Sequence, residues 1–155
     1  ATRWPVLDAA TPNGELNWPS PLPMLPTPMQ PITGRSFLSW LANAFSFQAK
    51  YGIDPGQLFN VLMGSSSGGK VMERNIGTMI LNDDFDAQFS LDLLTKDLAL
   101  STKLARDLGV RMLVGSMAEM IAREGQALGL GAADMVAMIR PMEEAAEVEV
   151  RALSA

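Results

Sequence analysis

The chain has 155 residues, of which 48% are hydrophobic, and it carries a formal net charge of −5 at pH 7. This length fits one domain with a hydrophobic core. The negative net charge argues against binding to nucleic acid, which requires a basic surface, and against binding to an anionic membrane surface. No apolar run approaches the about 18 residues of a membrane span, and no secretion signal is recognisable, so we expect a cytoplasmic protein.

Cysteine and histidine are both absent from the sequence. Their absence excludes disulfides, thiolate nucleophiles, Ser-His-Asp and Cys-His catalysis, and the commonest ligands of transition metals. Acid–base chemistry would therefore have to use carboxylates, lysines, the single tyrosine or a bound cofactor.

The first part of the chain is rich in proline. Residues 1–34 contain eight of the ten prolines. Because proline fixes φ and lacks the backbone N–H, we expect the segment from Trp18 to Pro31 to be extended. We predict a proline-rich arm or linker at 1–34 and a helical domain at 35–155. A PxxP ligand core at Pro23–Pro26 is the alternative, but the apolar side chains of the arm favour packing on another surface.

Apolar residues recur at helical spacing in the rest of the chain, and no alternating pattern predicts a strand. The first predicted helix follows an N-cap at Ser36, is apolar nearly all round, and ends at Gly52. Asp54-Pro55 predicts the cap and first residue of a short second helix. A third helix is predicted from about Val71 to Ile80, with Met72, Ile76, Met79 and Ile80 inward.

A fourth helix is predicted from about Phe89 to Leu108, and Gly109 supplies its stop. Asp92 precedes Lys96 by four residues, which is the favourable order of a helical ion pair. The simplest interpretation is a core helix with a solvated salt bridge. Its predicted inward stripe, at mostly three- and four-residue spacing, is Leu91, Leu94, Leu98, Leu104 and Leu108.

A fifth helix is predicted from Leu113 to about Leu128, with apolar residues on one face. Asp134 caps a sixth helix, which Pro141 interrupts or restarts. We interpret the acidic helical tail from Met142 to Ala152, with Glu143, as a solubilising surface. The predicted fold class is therefore all-α, a bundle of five to seven helices behind an extended proline-rich arm. The inward stripe predicted for the fifth helix is Leu113, Met117, Met120, Ile121 and Leu128.

Two motifs suggest ligand sites but fail on their context. Gly64 to Lys70 nearly matches the phosphate-binding pattern G-x-x-x-x-G-K, but Val71 stands where Ser or Thr must ligate magnesium, and no strand precedes the loop. Asp83, Asp84 and Asp86 suggest calcium, yet the loop lacks the Gly and Glu positions of an EF-hand. We predict an interhelical loop and a solvated turn, and no metal site.

Several segments resemble one enzyme family. Tyr51-Gly52-Ile53-Asp54 through Leu62 is similar to the GID-x-x-x-L-x-x-x-L stretch of β-hydroxyacid dehydrogenases, which include 3-hydroxyisobutyrate dehydrogenase and tartronate semialdehyde reductase. Phe89 to Leu98, with the pattern F-x-L-x-L-x-x-K-D-L, is the closest piece. Leu108-Gly109-Val110, Ala118-Glu119-Met120 and Asp134 to Ile139 follow in the order of the family's C-terminal helical domain, which is of the type found in 6-phosphogluconate dehydrogenase. The resemblance covers roughly residues 36–140.

The resemblance implies an NAD or NADP cofactor, which the family holds through the Gly-rich turn of an N-terminal Rossmann domain. It also implies that the helical domain closes the cleft, contributes substrate contacts and builds the dimer. In the family the lysine that matches Lys96 reaches the cofactor near its nicotinamide end, and Phe89 is expected to pack nearby. Lys96 and Phe89 are therefore the predicted cofactor-binding residues.

Two features of the family are missing from the sequence. It contains no G-x-G-x-x-G turn and no βαβ unit, and the position of the family's catalytic lysine, in a K-x-x-N-N motif, falls near Thr27. Proline-rich sequence occupies that region, so we predict no catalytic residue in this chain. We do not expect the chain to bind the cofactor or to transfer hydride alone.

Two functional hypotheses follow from these patterns. In the first, the chain is part of an oxidoreductase, either a fragment or a subunit completed by a separate Rossmann-domain chain. In the second, it is a non-catalytic helical homodimer or interaction protein derived from the family, with the apolar helix from Phe37 to Phe47 in the interface and the arm over exposed apolar surface. We expect a homodimer, without nucleic-acid or membrane partners, and the sequence predicts no substrate.

Overall fold

The computed structural model describes the backbone of residues 31–152 and the side chains of residues 36–152. Within these residues the chain is helical, with no strand and one isolated bridge between Ser90 and Asp134, which confirms the predicted all-α class. Residues 1–30 of the predicted arm lie outside the described part. The α-helices are α1 (Pro31–Tyr51), α2 (Pro55–Met63), α3 (Lys70–Met72), α4 (Leu91–Asp107), α5 (Leu113–Ala127) and α6 (Arg140–Ala146).

Helix α1 begins at Pro31 and not after the predicted cap at Ser36. A proline suits the start of a helix, because the first N–H groups of a helix have no partner within it. Ser36 is instead buried inside the helix, and its hydroxyl has no hydrogen-bond partner among the described residues. The helix ends at Tyr51 as predicted, with Gly52 in the left-handed region at φ 94°.

Helix α2 starts at the predicted Asp-Pro pair. The carboxylate of Asp54 accepts hydrogen bonds from the backbone N–H groups of Gly56 at 3.3 Å and Gln57 at 3.0 Å. These bonds satisfy two donors that the first helical turn leaves free. The side chains that α2 packs against the core are partly buried and comprise Leu58, Phe59, Leu62 and Met63.

The third predicted helix is present but irregular. After α3 the chain continues as a π-helix over Glu73–Met79 and closes with a 3-10 turn over Ile80–Asn82. Asp83 ends the segment in the left-handed region at φ 56°. The inward residues predicted for this helix are all buried, namely Met72, Ile76, Met79 and Ile80.

Helix α1 lies at the centre of the bundle and packs against all five other α-helices and against a second 3-10 segment, Met135–Ile139. The other elements therefore surround one core. The largest fully buried side chains come from α1, the irregular third helix, α4 and the second 3-10 segment. They are Leu38, Leu41, Phe45, Met72, Ile76, Met79, Ile80, Leu91, Leu94, Leu98, Met138 and Ile139.

Helix α4 buries only part of its predicted stripe. Its first half follows the prediction, with Leu91, Leu94 and Leu98 buried. In its second half the inward positions belong to smaller residues, Ser101, Thr102 and Ala105. The prediction that Leu104 and Leu108 face the core is therefore wrong, because both side chains are exposed.

The predicted inward stripe of α5 is wrong for four of its five residues. The face that α5 buries consists of the small residues Gly115, Ala118, Ala122 and Gly125. They allow a close approach, since a Cβ added at Gly125 would lie 2.7 Å from Leu91 Cδ2. Of the predicted stripe, Ile121 is partly buried against the core. The other four side chains are exposed, namely Leu113 (63%), Met117 (63%), Met120 (62%) and Leu128 (47%).

The predicted helical tail is confirmed only as far as Ala146. Helix α6 ends at Ala146, and Glu147 takes the left-handed conformation at φ 54°. Residues 147–152, which we call the C-terminal strap, then fold back on the core. Val150 is fully buried, and the backbone N–H of Ala152 donates to the Leu81 carbonyl at 3.0 Å.

Glu143 holds the strap and is buried, so its prediction as part of a solvated tail is wrong. Its carboxylate accepts hydrogen bonds from the Val150 N–H at 2.7 Å and from Arg151 Nη1 at 2.9 Å. Arg140 Nη1 reaches the other oxygen at 3.2 Å. Two guanidinium groups thus compensate the desolvation of one buried carboxylate.

Candidate functional site

Phe89 lies at the joint between the irregular third helix and α4, where Asp134 fixes its backbone. The Asp134 side chain is fully buried, and its Oδ2 accepts hydrogen bonds from the N–H groups of Gln88 at 2.9 Å and Phe89 at 3.0 Å. Its Oδ1 accepts from the Val136 N–H at 3.2 Å, which confirms Asp134 as a helix cap. One carboxylate therefore ties Phe89 to the second 3-10 segment.

Arg74 pairs with this buried carboxylate from the π-helix. Its Nη2 lies 3.3 Å from Asp134 Oδ2, and its Nε and Nη2 donate to the Gln88 side-chain oxygen at 3.3 and 3.1 Å. Its Nη1 donates to Asn75 Oδ1. A buried charge without a partner is costly, so this pair couples the position of the π-helix to that of Phe89.

Backbone hydrogen bonds hold the start of α4 against residues 131–135. The Leu91 N–H donates to the Ala133 carbonyl at 2.9 Å, and the Met135 N–H donates to the Phe89 carbonyl at 2.8 Å. Ser90 caps α4, because its hydroxyl accepts from a backbone N–H of the first turn at 3.3 Å. The free donors of the helix start are thus satisfied, and the residues that follow project from a fixed element.

Lys96 lies in the second turn of α4, with its side chain 60% exposed. Its Nζ is 3.5 Å from Asp97 Oδ1, and an exposed contact of this kind contributes little to stability. The predicted pair of Asp92 with Lys96 is wrong. Asp92 Oδ1 instead accepts a hydrogen bond at 2.6 Å from Gln126 Nε2, because α5 packs beside the start of α4.

Exposed leucines flank Lys96 on the same face of α4. Leu93 and Leu100 lie three residues before it and four residues after it, and they are 44% and 51% exposed. A single exposed leucine is ordinary on a protein surface. Two that flank one cation form a surface suited to contact with a ligand or with another domain.

A groove of about 470 Å³ opens beside Phe89. Within it Lys70 donates to Glu73 Oε2 at 2.6 Å. That hydrogen bond, together with the charge of Glu73, raises the pKa of Lys70 above its ordinary value, so the ammonium stays protonated at neutral pH. The lining includes Lys70, Arg74, Asn75, Gln88, Phe89 and Met135, but not Lys96.

Of the two predicted residues, Phe89 lines this groove, whereas Lys96 is exposed on α4 and is not among the lining residues. The sequence analysis missed the residues that organise the groove. Arg74 and Asp134 are 60 residues apart in the chain, so no local pattern could join them. The only available signal was the predicted cap at Asp134.

The two rejected motifs have structural explanations. The loop of residues 64–69 joins α2 to α3, so a helix precedes it where a P-loop requires a strand. Asp83 forms ion pairs with Arg140 at 2.9 Å and Arg151 at 2.7 Å. Among residues 36–152, no three acidic side chains are grouped so that they could hold a metal ion.

None of the helices within residues 31–152 combines the length and apolar content that a membrane crossing requires.

These features define the class of protein as an all-α domain with an exposed lysine, Lys96, on the helix that follows the fixed backbone of Phe89. A family model described as NAD-binding of NADP-dependent 3-hydroxyisobutyrate dehydrogenase matches residues 36–142. Because this match covers more than half of the chain, the chain belongs to that family of NAD(P)-dependent hydroxyacid dehydrogenases.

Known relatives agree with this assignment. The 2-(hydroxymethyl)glutarate dehydrogenase of Eubacterium barkeri is 33% identical over 110 residues, which are 71% of this chain and 36% of that protein. The solved 3-hydroxyisobutyrate dehydrogenase of Mycobacterium tuberculosis with L-serine has a TM-score of 0.63 at 25% identity, over 73% of this chain and 42% of that one. The Salmonella typhimurium 3-hydroxyisobutyrate dehydrogenase shares the fold, with a TM-score of 0.68 at 21% identity over 74% and 40%. The chain thus spans between 36% and 42% of the length of these relatives.

Proposed function

We propose that this chain supplies the helical wall of the cofactor cleft in an NAD(P)-dependent β-hydroxyacid dehydrogenase. Lys96 contacts the cofactor near its nicotinamide end, and Phe89 packs nearby. One observation carries the proposal. The family-like segment from Phe89 to Leu98 forms the start of α4, which backbone hydrogen bonds hold in place. Lys96 is exposed on this helix between the exposed Leu93 and Leu100.

The groups around Lys96 fit a nicotinamide nucleotide. An ammonium has three N–H donors and can bind a ribose hydroxyl, an amide oxygen or a phosphate. Leu93 and Leu100 offer apolar surface to a ribose or a ring, and they exclude water from that side. The cofactor, when bound, supplies the hydride chemistry that no side chain can perform. Lys96 and its neighbours would bind and orient it.

In this proposal the chain supplies no catalytic residue. Hydride transfer requires a Rossmann domain, contributed by another part of the protein or by a separate chain, whose Gly-rich turn holds the pyrophosphate. We assign the acid–base lysine to that portion too, because family spacing places it near Thr27, within proline-rich sequence. The substrate class that we propose is a small hydroxy acid, since the relatives are named for 3-hydroxyisobutyrate and 2-(hydroxymethyl)glutarate.

The substitution Lys96→Ala tests the cofactor contact. When the Rossmann domain that completes the cleft is present, we expect the affinity for NADPH or NADH to fall about five- to tenfold, because one charge-assisted hydrogen bond is lost. Calorimetric titration of the complete protein, with its Rossmann domain, measures the dissociation constant directly.

The matched control is Lys103→Ala, which makes the same charge change on the same helix. Lys103 already pairs with Asp107 at 2.5 Å, so we expect its removal to leave cofactor affinity unchanged. Equal losses in the two variants would contradict a specific contact at Lys96. An unchanged dissociation constant in Lys96→Ala would contradict a cofactor wall at this position.

A second candidate function is a non-catalytic homodimer derived from the family. Exposed apolar side chains on α1 and α5 favour it, with Trp40 and Phe47 at 52% and 67% exposure and Met117 and Met120 at 63% and 62%. The helix from Phe37 to Phe47 buries Leu38, Leu41 and Phe45 inside the chain and leaves its aromatic face for a partner. Loss of cofactor binding together with a retained dimer would select this candidate.

A further inference from the structure

The groove beside Phe89 differs in charge from other concave surfaces of residues 36–152. A surface of about 510 Å³ near α6 is lined by four glutamates, among them Glu144 and Glu147, and by one arginine. Another, between α5 and α6, is lined by Glu124 and Glu144. The lining of the Phe89 groove contains Lys70 and Arg74 and no carboxylate, although the chain has a net charge of −5. Each of these cations is paired with a carboxylate outside the lining, Lys70 with Glu73 and Arg74 with Asp134.

We propose that this groove binds the oxyanion of a small ligand, either a carboxylate or a phosphate. The guanidinium of Arg74 is held in place before any ligand arrives, since Gln88 and the buried Asp134 accept from it. These bonds and the bond to Asn75 engage the Nε–H, both Nη2 donors and one Nη1 donor, and a guanidinium has five N–H groups. A second Nη1 donor therefore remains for a ligand, at no cost in side-chain ordering.

Lys70 provides the movable part of the site. Its side chain is 94% exposed, and its one ion pair, with Glu73, uses one of the three donors of an ammonium. The other donors can reach an oxyanion beside Arg74, because a lysine side chain is long and flexible. The neighbouring amides of Asn75 and Gln88 add further donors to the lining.

The remaining lining sets the size and character of the ligand. Val71, Phe89 and Met135 present apolar surface next to the cationic groups, which suits a short carbon chain or a flat ring attached to the anion. A volume of about 470 Å³ lies within the range of small-molecule sites. Identification of this anion as part of a dehydrogenase substrate or cofactor rests on the proposed function, whereas its binding to the groove does not.

Nuclear magnetic resonance titration of the ¹⁵N-labelled full chain tests the site, with inorganic phosphate and succinate as separate probes. We expect saturable shifts at Arg74 Nε–H, the Gln88 side-chain amide and the Phe89 N–H, with a dissociation constant on the order of 1 mM, as few contacts are made. Tighter binding of phosphate indicates a phosphate group of the ligand, and tighter binding of succinate indicates a carboxylate. Either result supports the site.

Two variants and a control make the test specific. Lys70→Ala is expected to weaken the better probe about threefold or more, and Lys70→Arg to retain most of the affinity. Lys103→Ala makes the same charge change elsewhere and is expected to leave the affinity unchanged. The proposal is overturned if no saturable shift appears at these groups below about 20 mM probe, or if Lys70→Ala and Lys103→Ala weaken binding equally. Neither outcome affects the cofactor titration of Lys96→Ala, so the two proposals fail separately.

Discussion

Asp134 accepts four hydrogen bonds through two oxygens, and three of them come from residues distant in the chain, Arg74, Gln88 and Phe89. The fourth, from Val136, is local. A cap of this kind is a common feature, but here the same carboxylate also joins three separate segments in the interior. The position of Phe89 therefore depends on the charge of a residue that is far away in sequence.

Loss of the Asp134 charge should lower the stability of the fold. We expect Asp134→Asn to lower the free energy of unfolding by about 2–4 kcal/mol, because an amide cannot accept all four bonds and leaves Arg74 without its anionic partner. Urea unfolding followed by circular dichroism measures this difference. Asp86→Asn, at an exposed residue, is the control, and a loss below about 1 kcal/mol at Asp134 would show that the joint is not held as described.

At this scale the sequence predicts local chemistry and misses long-range pairing. Asp54 and Asp134 were predicted as helix caps, and both lie within family-like segments, whereas the cap at Ser90 was not predicted. Glu143 was misinterpreted because charged runs are usually solvated. Only the return of the strap brings Arg151 and the Val150 N–H to its carboxylate, and that return follows from tertiary packing.

Among the elements, α5 shows why periodicity identifies a helix more securely than its buried face. Both of its faces carry apolar residues at helical spacing, so the pattern fits either orientation. The close approach of α4 and the second 3-10 segment selects the face of small residues, such as Ala118 and Gly125. Residue size at the contact, rather than hydrophobicity, therefore decides which side of α5 is buried.

Glu119 links α5 to α4 through a charged contact. It accepts a hydrogen bond from Thr102 Oγ1 at 2.5 Å and from Arg123 Nη2 at 2.7 Å. Burial alone would raise the pKa of Glu119, but the hydrogen bonds from Thr102 and Arg123 and the charges of Arg123 and Arg106 outweigh it. The pKa of Glu119 therefore lies below its ordinary value of 4.5.

The stability of the α4–α5 contact should consequently depend on pH. A carboxylate with a lowered folded-state pKa stabilises the fold above its unfolded-state pKa and loses that contribution as the pH falls through the folded-state value. We expect Glu119→Gln to lower the free energy of unfolding by about 1 kcal/mol at pH 7 and by progressively less below about pH 4. Urea titrations across this range measure the difference, with the exposed Glu124→Gln as control. An unchanged difference at pH 3 would refute the contribution of the Glu119 charge.

For the whole molecule, the exposed apolar side chains of α1 and α5 are the main departure from an ordinary solvated surface. Helix α1 exposes Trp40, Phe47 and Tyr51, and α5 exposes Met117 and Met120. Large apolar patches on one chain commonly mark contacts between chains. They motivate the expectation of a homodimer in solution, with α5 added to the interface predicted on α1.

Light scattering coupled to size-exclusion chromatography measures the mass of the protein in solution and tests this expectation. We expect the parent chain to have the mass of a dimer, twice the 16.7 kDa of one chain. Met117→Lys is expected to shift the population to the monomer, because a buried unpaired charge in the interface is unfavourable. Leu100→Lys, which adds the same charge on the Lys96 face of α4, is expected to leave the dimer intact. A monomeric parent chain would contradict the homodimer.

Much of the architecture was predictable at this scale, because glycine and Asp-Pro signals mark the ends and starts of helices independently of packing. Gly52 and Gly109 take the left-handed conformation at the helix ends where a stop was predicted, and Gly129 does the same after α5. The π-helix and the strap were not predictable, since both depend on contacts between distant segments. The groove beside Phe89 depends on the same contacts and was missed for the same reason.

The C-terminal strap has a consequence for synthesis of the chain. Residues 150–152 are the last of the described core to be translated, yet Val150 fills an interior position and Arg151 pairs with Asp83 and Glu143. A nascent chain that has completed α1 to α5 still lacks these groups, so the 3-10 turn at Leu81 stays uncovered. Helices form as the chain emerges, but the final closure of this fold waits until residues 150–152 have been translated and have left the ribosome.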